Sequence, residues 1–158
     1  MIDTIKERCA ALIENLGRVL QTADLNRIFF HVPLWKHYYH TLYWFDYHFA
    51  GQDQYIGAPF HASGLDDIDL LPEVTITKEQ LQDYYIVVAK KSLRFLESLT
   101  EEMLLETTGG EHNRLSIIFG QMRHVYSHLG NINAITIEDT GRWPRMEIWA
   151  GENSPLYE

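Results

Sequence analysis

The chain has 158 residues and a mass of 18.5 kDa, which is the usual size of one domain. Hydrophobic residues make up 46% and charged residues 22%, a composition that is typical of globular proteins and excludes a disordered chain. The formal net charge of −9 disfavours nucleic acid as a partner, because most affinity for nucleic acid comes from neutralised phosphates. We therefore predict a single domain over residues 1–158 that does not bind nucleic acid.

Three further observations limit where the protein acts. The chain has one cysteine, Cys9, so an internal disulfide framework is excluded. No apolar run approaches the 18 or so residues of a membrane span. The segment Met1–Ile5 lacks the basic start and apolar stretch of a signal peptide. We expect a cytoplasmic protein with no membrane partner.

Residues 2–22 carry apolar side chains at every third or fourth position, which predicts an amphipathic helix. Cys9 lies on the apolar stripe, so we expect a small buried side chain and not a nucleophile. A second helix is predicted to open near Pro33. Residues 34–50 are apolar almost all round, which is typical of a central helix that packs on several sides.

Residues 51–76 form a long connection with several Gly and Pro residues and no helical periodicity. Thr77 and Gln80 have the spacing of a capping box, so a third helix is predicted from Lys78. The pair Gly109-Gly110 separates it from a last helix, predicted over about 112–138, whose apolar residues alternate in steps of three and four. These patterns predict an all-α four-helix bundle. The long connection between helices two and three can cross the bundle, which favours up-down-down-up topology at least as much as simple up-and-down.

Histidine is abundant, and one pair has the spacing of metal ligands. The eight residues are His31, His37, His40, His48, His61, His112, His124 and His128. Only His124 and His128 are four residues apart, which places both imidazoles on one helix face, where they can reach the same ion. They border the apolar seam, a position that suits either a metal ligand or a hydrogen-bonded structural histidine. Val125 follows the first histidine where a zincin protease has its glutamate base, so that chemistry is excluded.

A catalytic zinc ion normally has three protein ligands and one open position, so a third ligand is expected from elsewhere. The second helix offers His37, His40 and His48. Its central position favours it as the donor, but periodicity does not choose between His37 and His40.

The run Tyr39–Tyr47 (YHTLYWFDY) and the run His124–Asn133 (HVYSHLGNIN) together resemble the DinB-like superfamily of small four-helix-bundle proteins. Many of these proteins bind a metal, and some are related to mycothiol- and bacillithiol-dependent transferases. The resemblance implies that His40, His124 and His128 are the metal ligands, that the metal is a divalent ion such as zinc or nickel, and that the topology is up-down-down-up. It also implies a homodimer. It does not identify a catalytic base or other cofactor-binding residues.

Two functional hypotheses follow from this resemblance. The first is a metal-dependent thiol S-transferase or hydrolase that acts on a small electrophilic molecule, with a low-molecular-weight thiol as a possible second substrate. The alternative is a non-enzymatic dimeric bundle whose metal site is structural or vestigial and whose role is binding or stress-related. The fate of the metal's open coordination position distinguishes the two.

The remaining conspicuous residues have simpler interpretations. Four side chains of the second helix recur at helical spacing and are predicted to be core: Tyr38, Leu42, Phe45 and Phe49. Trp44 and Tyr47 share the face of His40, so they are equally consistent with core packing and with a pocket wall. Loop or helix-end positions predict solvated side chains for His31, His61 and His112, and for the acidic cluster Asp66, Asp67 and Asp69. We expect the aromatic residues after Gly141, including Trp143 and Trp149, to pack back onto the body.

Overall fold

The protein is all-α apart from one small hairpin. A computed structural model describes residues 1–107 and 110–158. Its elements in chain order are α1 (Ile2–Thr22), the antiparallel strands β1 (Ile28–Phe29) and β2 (Val32–Pro33), α2 (Leu34–His48), a 3-10 turn (Gln52–Gln54), α3 (Lys78–Ser98), α4 (Glu101–Leu105) and α5 (Arg114–Thr140). No helix in the described part of the chain combines the length and hydrophobicity that a bilayer crossing requires.

The four side chains of the second helix that were predicted to be core are buried. Tyr38, Leu42, Phe45 and Phe49 are all fully buried, and they belong to one core with residues of α1, α3 and α5. Cys9 is also fully buried, and desolvation raises the pKa of its thiol to about 12, so it is an unreactive side chain of the core.

Capping residues explain the helix boundaries that patterns of hydrophobicity place only approximately. The predicted capping box is present, because Thr77 and Gln80 exchange side-chain and backbone hydrogen bonds at the start of α3. The last helix, predicted from about residue 112, begins at Arg114, because the Asn113 side chain accepts the backbone N–H of Ser116. It continues to Thr140 and ends at Gly141, whose φ of 67° is the left-handed conformation typical of a helix C-terminus. Gly109, one of the two predicted breaking residues, lies outside the described residues.

The hairpin and α4 were not predicted from the sequence. The strands have two residues each, too few for alternation to be recognised, and the chain turns between them with positive φ angles at Phe30 and His31. The α4 helix has only five residues and begins at Thr100, whose hydroxyl accepts the N–H of Met103. Five residues are little more than one helical turn, so an amphipathic pattern cannot repeat within it.

Helix α1 packs against α3 and α5, and α2 also packs against α3 and α5. The contacts between α1 and α3 run in reversed order. Lys6 donates to the carbonyl of Glu97 at 3.3 Å, and the Tyr85 hydroxyl donates to the carbonyl of Ile13 at 3.0 Å. Low residue numbers on one helix therefore meet high numbers on the other.

The contacts between α2 and α3 run in the same order along both helices. The ring centroids of Tyr39 and Tyr84 are 6.2 Å apart, and those of Phe49 and Phe95 are 5.6 Å apart. Residues 51–76 connect these two helices in the chain.

Two buried charged groups of α2 hold this connection in place. The Lys36 side chain is fully buried, and its ammonium donates to the carbonyls of Gly64 and Leu70. Asp46 is also fully buried and accepts the backbone N–H of Gly57 at 3.0 Å. These bonds fix both the start of the connection and its acidic middle part against α2.

The buried contact of the C-terminal segment with α1 is made by polar groups. Asn15 is fully buried and forms two hydrogen bonds with the backbone of Glu147, at 2.9 and 2.7 Å. The expectation for the aromatic residues is wrong for Trp143, which is 60% exposed. Trp149 is 43% exposed and stacks against Arg8 of α1, whose guanidinium carbon lies 3.8 Å from the centroid of the indole ring.

Candidate metal centre

Three histidines from two helices converge on one point. His40 extends from α2, and His124 and His128 extend from adjacent turns of α5, which packs against α2. One ligand nitrogen from each ring lies within 4.8 Å of the others, so the group can hold a metal ion. The i,i+4 spacing brings the two α5 rings to a centroid distance of 4.7 Å, and the His40 ring is 4.9 Å from that of His128.

The long connection orients His40. Its Nδ1 lies 2.6 Å from the carbonyl oxygen of Asp66, and because a carbonyl can only accept, Nδ1 carries the proton. The other nitrogen, Nε2, is then unprotonated and has a free lone pair, and it lies 3.2 Å from Nε2 of His124. A backbone carbonyl that fixes the tautomer of a ligating histidine is the usual support for such a ligand.

The distance between these nitrogens fits coordination of a single ion. Two nitrogen ligands about 2.0–2.1 Å from a tetrahedral ion are about 3.3 Å apart, close to the 3.2 Å between the Nε2 atoms of His40 and His124. Burial lowers the pKa of all three histidines, to about 4 for His124 and for His128. At neutral pH the rings are therefore uncharged, which is the form that binds metal.

Hydrogen bonding within the protein leaves this cluster unsatisfied. Because Nε2 of His40 accepts, Nε2 of His124 must carry the proton and donate. Nδ1 of the neutral His124 ring is then unprotonated and can only accept a hydrogen bond. Nδ1 of His124 and Nδ1 of His128 are buried and have no hydrogen-bond partner among the described residues. Buried polar atoms without partners are costly to the folded protein. A metal cation that replaces the proton shared by His40 and His124 would give the histidine nitrogens a partner, so the cluster fits a bound metal better than it fits the metal-free state.

The structure also shows which histidine of α2 belongs to the cluster, a choice between His37 and His40 that periodicity left open. The His37 ring is 5% exposed, and its Nε2 bonds to the carbonyl of Phe29 at 3.1 Å. This histidine therefore holds the β1–β2 hairpin against α2 and does not belong to the cluster. His48 stacks on Trp44 at a centroid distance of 5.5 Å and is likewise not part of it.

An aromatic surface continues along α2 from His40. Trp44 and Tyr47 are half-buried, with edge-to-face rings 5.8 Å apart, and they lie one and two turns beyond His40 on the same helix. His61 is exposed, as predicted, but its Nδ1 also bonds to the Tyr39 hydroxyl at 2.7 Å, and its ring stacks on Tyr43 at 5.1 Å. This ordered imidazole had no sequence signal, because its partners belong to a different element of the fold.

Sequence reasoning also missed the part that Asp66 plays. Asp67 and Asp69 are exposed, as expected of a solvated loop. Asp66 is half-buried and contributes its backbone carbonyl, which any residue type could supply. For this reason the contact leaves no mark in the sequence.

The comparisons with known proteins give no independent assignment. No protein-family description, no curated protein and no solved structure shows a significant match to this chain. The functional argument therefore depends on the site itself.

Proposed function

We propose that this protein is a DinB-like metal-binding protein that uses His40, His124 and His128 to hold a divalent ion, zinc or nickel. The observation that carries this proposal is the convergence of three neutral imidazoles, one of them oriented through Nδ1 by a backbone carbonyl. Imidazole ligands suit both ions, and three protein ligands leave a coordination position for an exogenous group.

We also infer an up-down-down-up four-helix bundle formed by α1, α2, α3 and α5. Reversed contacts support antiparallel α1 and α3, and contacts in the same order support parallel α2 and α3. Helix α5 has Arg114 beside Gly51 and His124 beside His40, which supports a direction opposite to α2. A homodimer is part of the same proposal, and analytical ultracentrifugation tests it.

The proposed activity is transfer of a low-molecular-weight thiol to a small electrophilic molecule, or hydrolysis of that molecule. A bound divalent ion lowers the pKa of a thiol or water in its coordination sphere and supplies a nucleophile at neutral pH. The chain's own contribution is to hold three ligands in a fixed geometry, with the half-buried rings of Trp44 and Tyr47 one and two turns further along the helix that carries His40. An aromatic wall of this kind favours an apolar electrophile over a charged one.

The first experiment measures metal content by elemental analysis on protein purified without a histidine tag. We expect about one equivalent in the wild type and a loss of metal in His40→Ala and in His128→Ala. His37→Gln is the matched control on the same helix, and it should keep its metal because that ring bonds to Phe29. Absence of metal after reconstitution, or equal loss in the control, would contradict the site.

The second experiment asks whether the ion has an open position. Cobalt is substituted into the site, and the visible absorption spectrum is recorded while a thiol such as cysteine or glutathione is added. A thiolate-to-cobalt charge-transfer band would support the transferase. A four-coordinate spectrum that no thiol changes would instead support the structural metal of a non-enzymatic bundle.

A further inference from the structure

A second site lies away from the histidines, in a cavity of about 810 Å³ between the end of α2, α3, α4 and the start of α5. Arg114, the first residue of α5, lines it. His124 is ten residues further along α5, about 15 Å away at the helical rise. The cavity is therefore separate from the metal centre, and its interpretation does not depend on the proposed metal.

The cavity concentrates positive charge in an acidic protein. Four of the chain's 13 basic residues line it: Lys90, Lys91, Arg94 and Arg114. Lys91 is neutralised by an ion pair with Asp46. In the described part of the chain, the other three form no ion pair within 4.0 Å. Asp53, on the rim, is the one carboxylate that lines the cavity, so the positive charges outnumber it.

Arg114 is the group that marks this cavity as a binding site. Its side chain is only 9% exposed, and its Nη1 is buried with no hydrogen-bond partner among the described residues. The guanidinium carbon lies 5.3 Å from the centroid of the Phe95 ring, which holds the group against the cavity wall. A buried guanidinium nitrogen without a partner is costly to the folded protein, and an anion would supply the missing acceptor.

The walls around these charges are apolar. Phe95 and Met103 are half-buried, and Ile86 and Val87 of α3, which also line the cavity, are 53% and 45% exposed. An inorganic ion would leave this surface in contact with water. A ligand with an apolar body and an anionic head would cover it.

We propose that this cavity binds a small amphiphilic anion, a phosphate monoester or a carboxylate with an aromatic or aliphatic body, whose anionic head contacts Arg114. Lys90 and Arg94 are both exposed, and they attract the anion over a longer range. The apolar body lies along Phe95 and Met103.

The test is a titration of ¹⁵N-labelled full-length protein, followed by NMR, with three probes: phenyl phosphate, phenylacetate and inorganic phosphate. We expect shifts in the backbone amides of Phe95, Ser98 and Arg114 with phenyl phosphate or phenylacetate, and their relative affinities identify the preferred head group. Inorganic phosphate should bind at least about tenfold more weakly, because it covers no apolar surface. Equal affinity for inorganic phosphate would overturn the amphiphilic ligand.

Substitutions distinguish direct binding by the Arg114 guanidinium from a general effect of positive charge on the protein surface. Arg114→Gln should weaken binding by roughly tenfold or more, the range for loss of one charged hydrogen-bonding partner. Arg123→Gln removes the same charge from an exposed position of α5 outside the cavity and should bind like the wild type. If Arg114→Gln does not fold, the exposed double variant Lys90→Gln/Arg94→Gln provides the second test, with weaker binding and a shallower dependence on salt. Wild-type affinity in both sets of variants, or no binding of any probe at about 10 mM, would overturn the proposal.

Discussion

The ion pair between Lys91 and Asp46 gives the sharpest stability prediction, because it is buried and has an exposed lysine beside it for comparison. Asp46 is fully buried, and the Lys91 side chain is 11% exposed. The same carboxylate accepts the Tyr84 hydroxyl at 2.7 Å and the N–H of Gly57 at 3.0 Å. Replacing lysine by methionine keeps an unbranched, flexible side chain that is one atom shorter, and it removes the charge and its hydrogen bonds.

We expect Lys91→Met to lower the free energy of unfolding by about 3–5 kcal/mol, the typical cost of leaving a buried charge without its partner. The bonds from Tyr84 and Gly57 stabilise the remaining carboxylate and keep the loss within this range. For a chain of this length, such a loss lowers Tm by roughly 6–20 °C. Since Asp46 anchors the start of the long connection, local unfolding of residues 51–76 should become easier as well.

The assay is urea denaturation followed by circular dichroism, with thermal melts as a second measure. Lys90→Met is the matched control: the same substitution at the neighbouring position, where the side chain is exposed and forms no ion pair in the described part of the chain. It should change stability by less than about 0.5 kcal/mol. If the two variants were equally stable, the reasoning about the buried pair would be refuted.

Two further predictions concern the histidine cluster and the C-terminal segment. Metal-free protein should lose stability as pH falls from about 6.5 to about 4, because His124 and His128 have a folded-state pKa of about 4 and the unfolded chain takes up their protons first. The free energy of unfolding should fall by at most about 1.4 kcal/mol per pH unit for each ring, and by less in practice because both rings are only half-buried. Urea denaturation at a series of pH values measures this profile. His128→Gln should flatten it, whereas His112→Gln, at an exposed position, should leave it unchanged. Asn15→Ala should cost about 1–3 kcal/mol for each backbone group of Glu147 left unpaired. Urea denaturation and faster proteolysis of the C-terminal segment measure this effect, and an unchanged cleavage rate would show that other contacts hold the segment.

The long helices were predictable because each one repeats a local signal many times. Helix α1 was predicted over residues 2–22 and occupies that range, and the capping box places the start of α3 at Lys78. Short elements lack this redundancy, so α4 and the hairpin were missed. The packing of the C-terminal segment was misjudged for a different reason: the buried contact is made by Asn15 with a backbone, and aromatic composition does not indicate it.

The sequence by itself determined the all-α class, the core side chains of α2 and the pairing of His124 with His128, since each follows from periodicity within one helix. It could not choose between His37 and His40 as the third histidine, because both lie on the helix that packs against α5. The tertiary structure decided this: the hairpin binds His37 through Phe29, whereas a carbonyl of the long connection orients His40 toward the cluster. Such contacts join a side chain to a backbone carbonyl that is distant in the sequence. They depend on how whole segments are positioned relative to one another, which no single segment specifies.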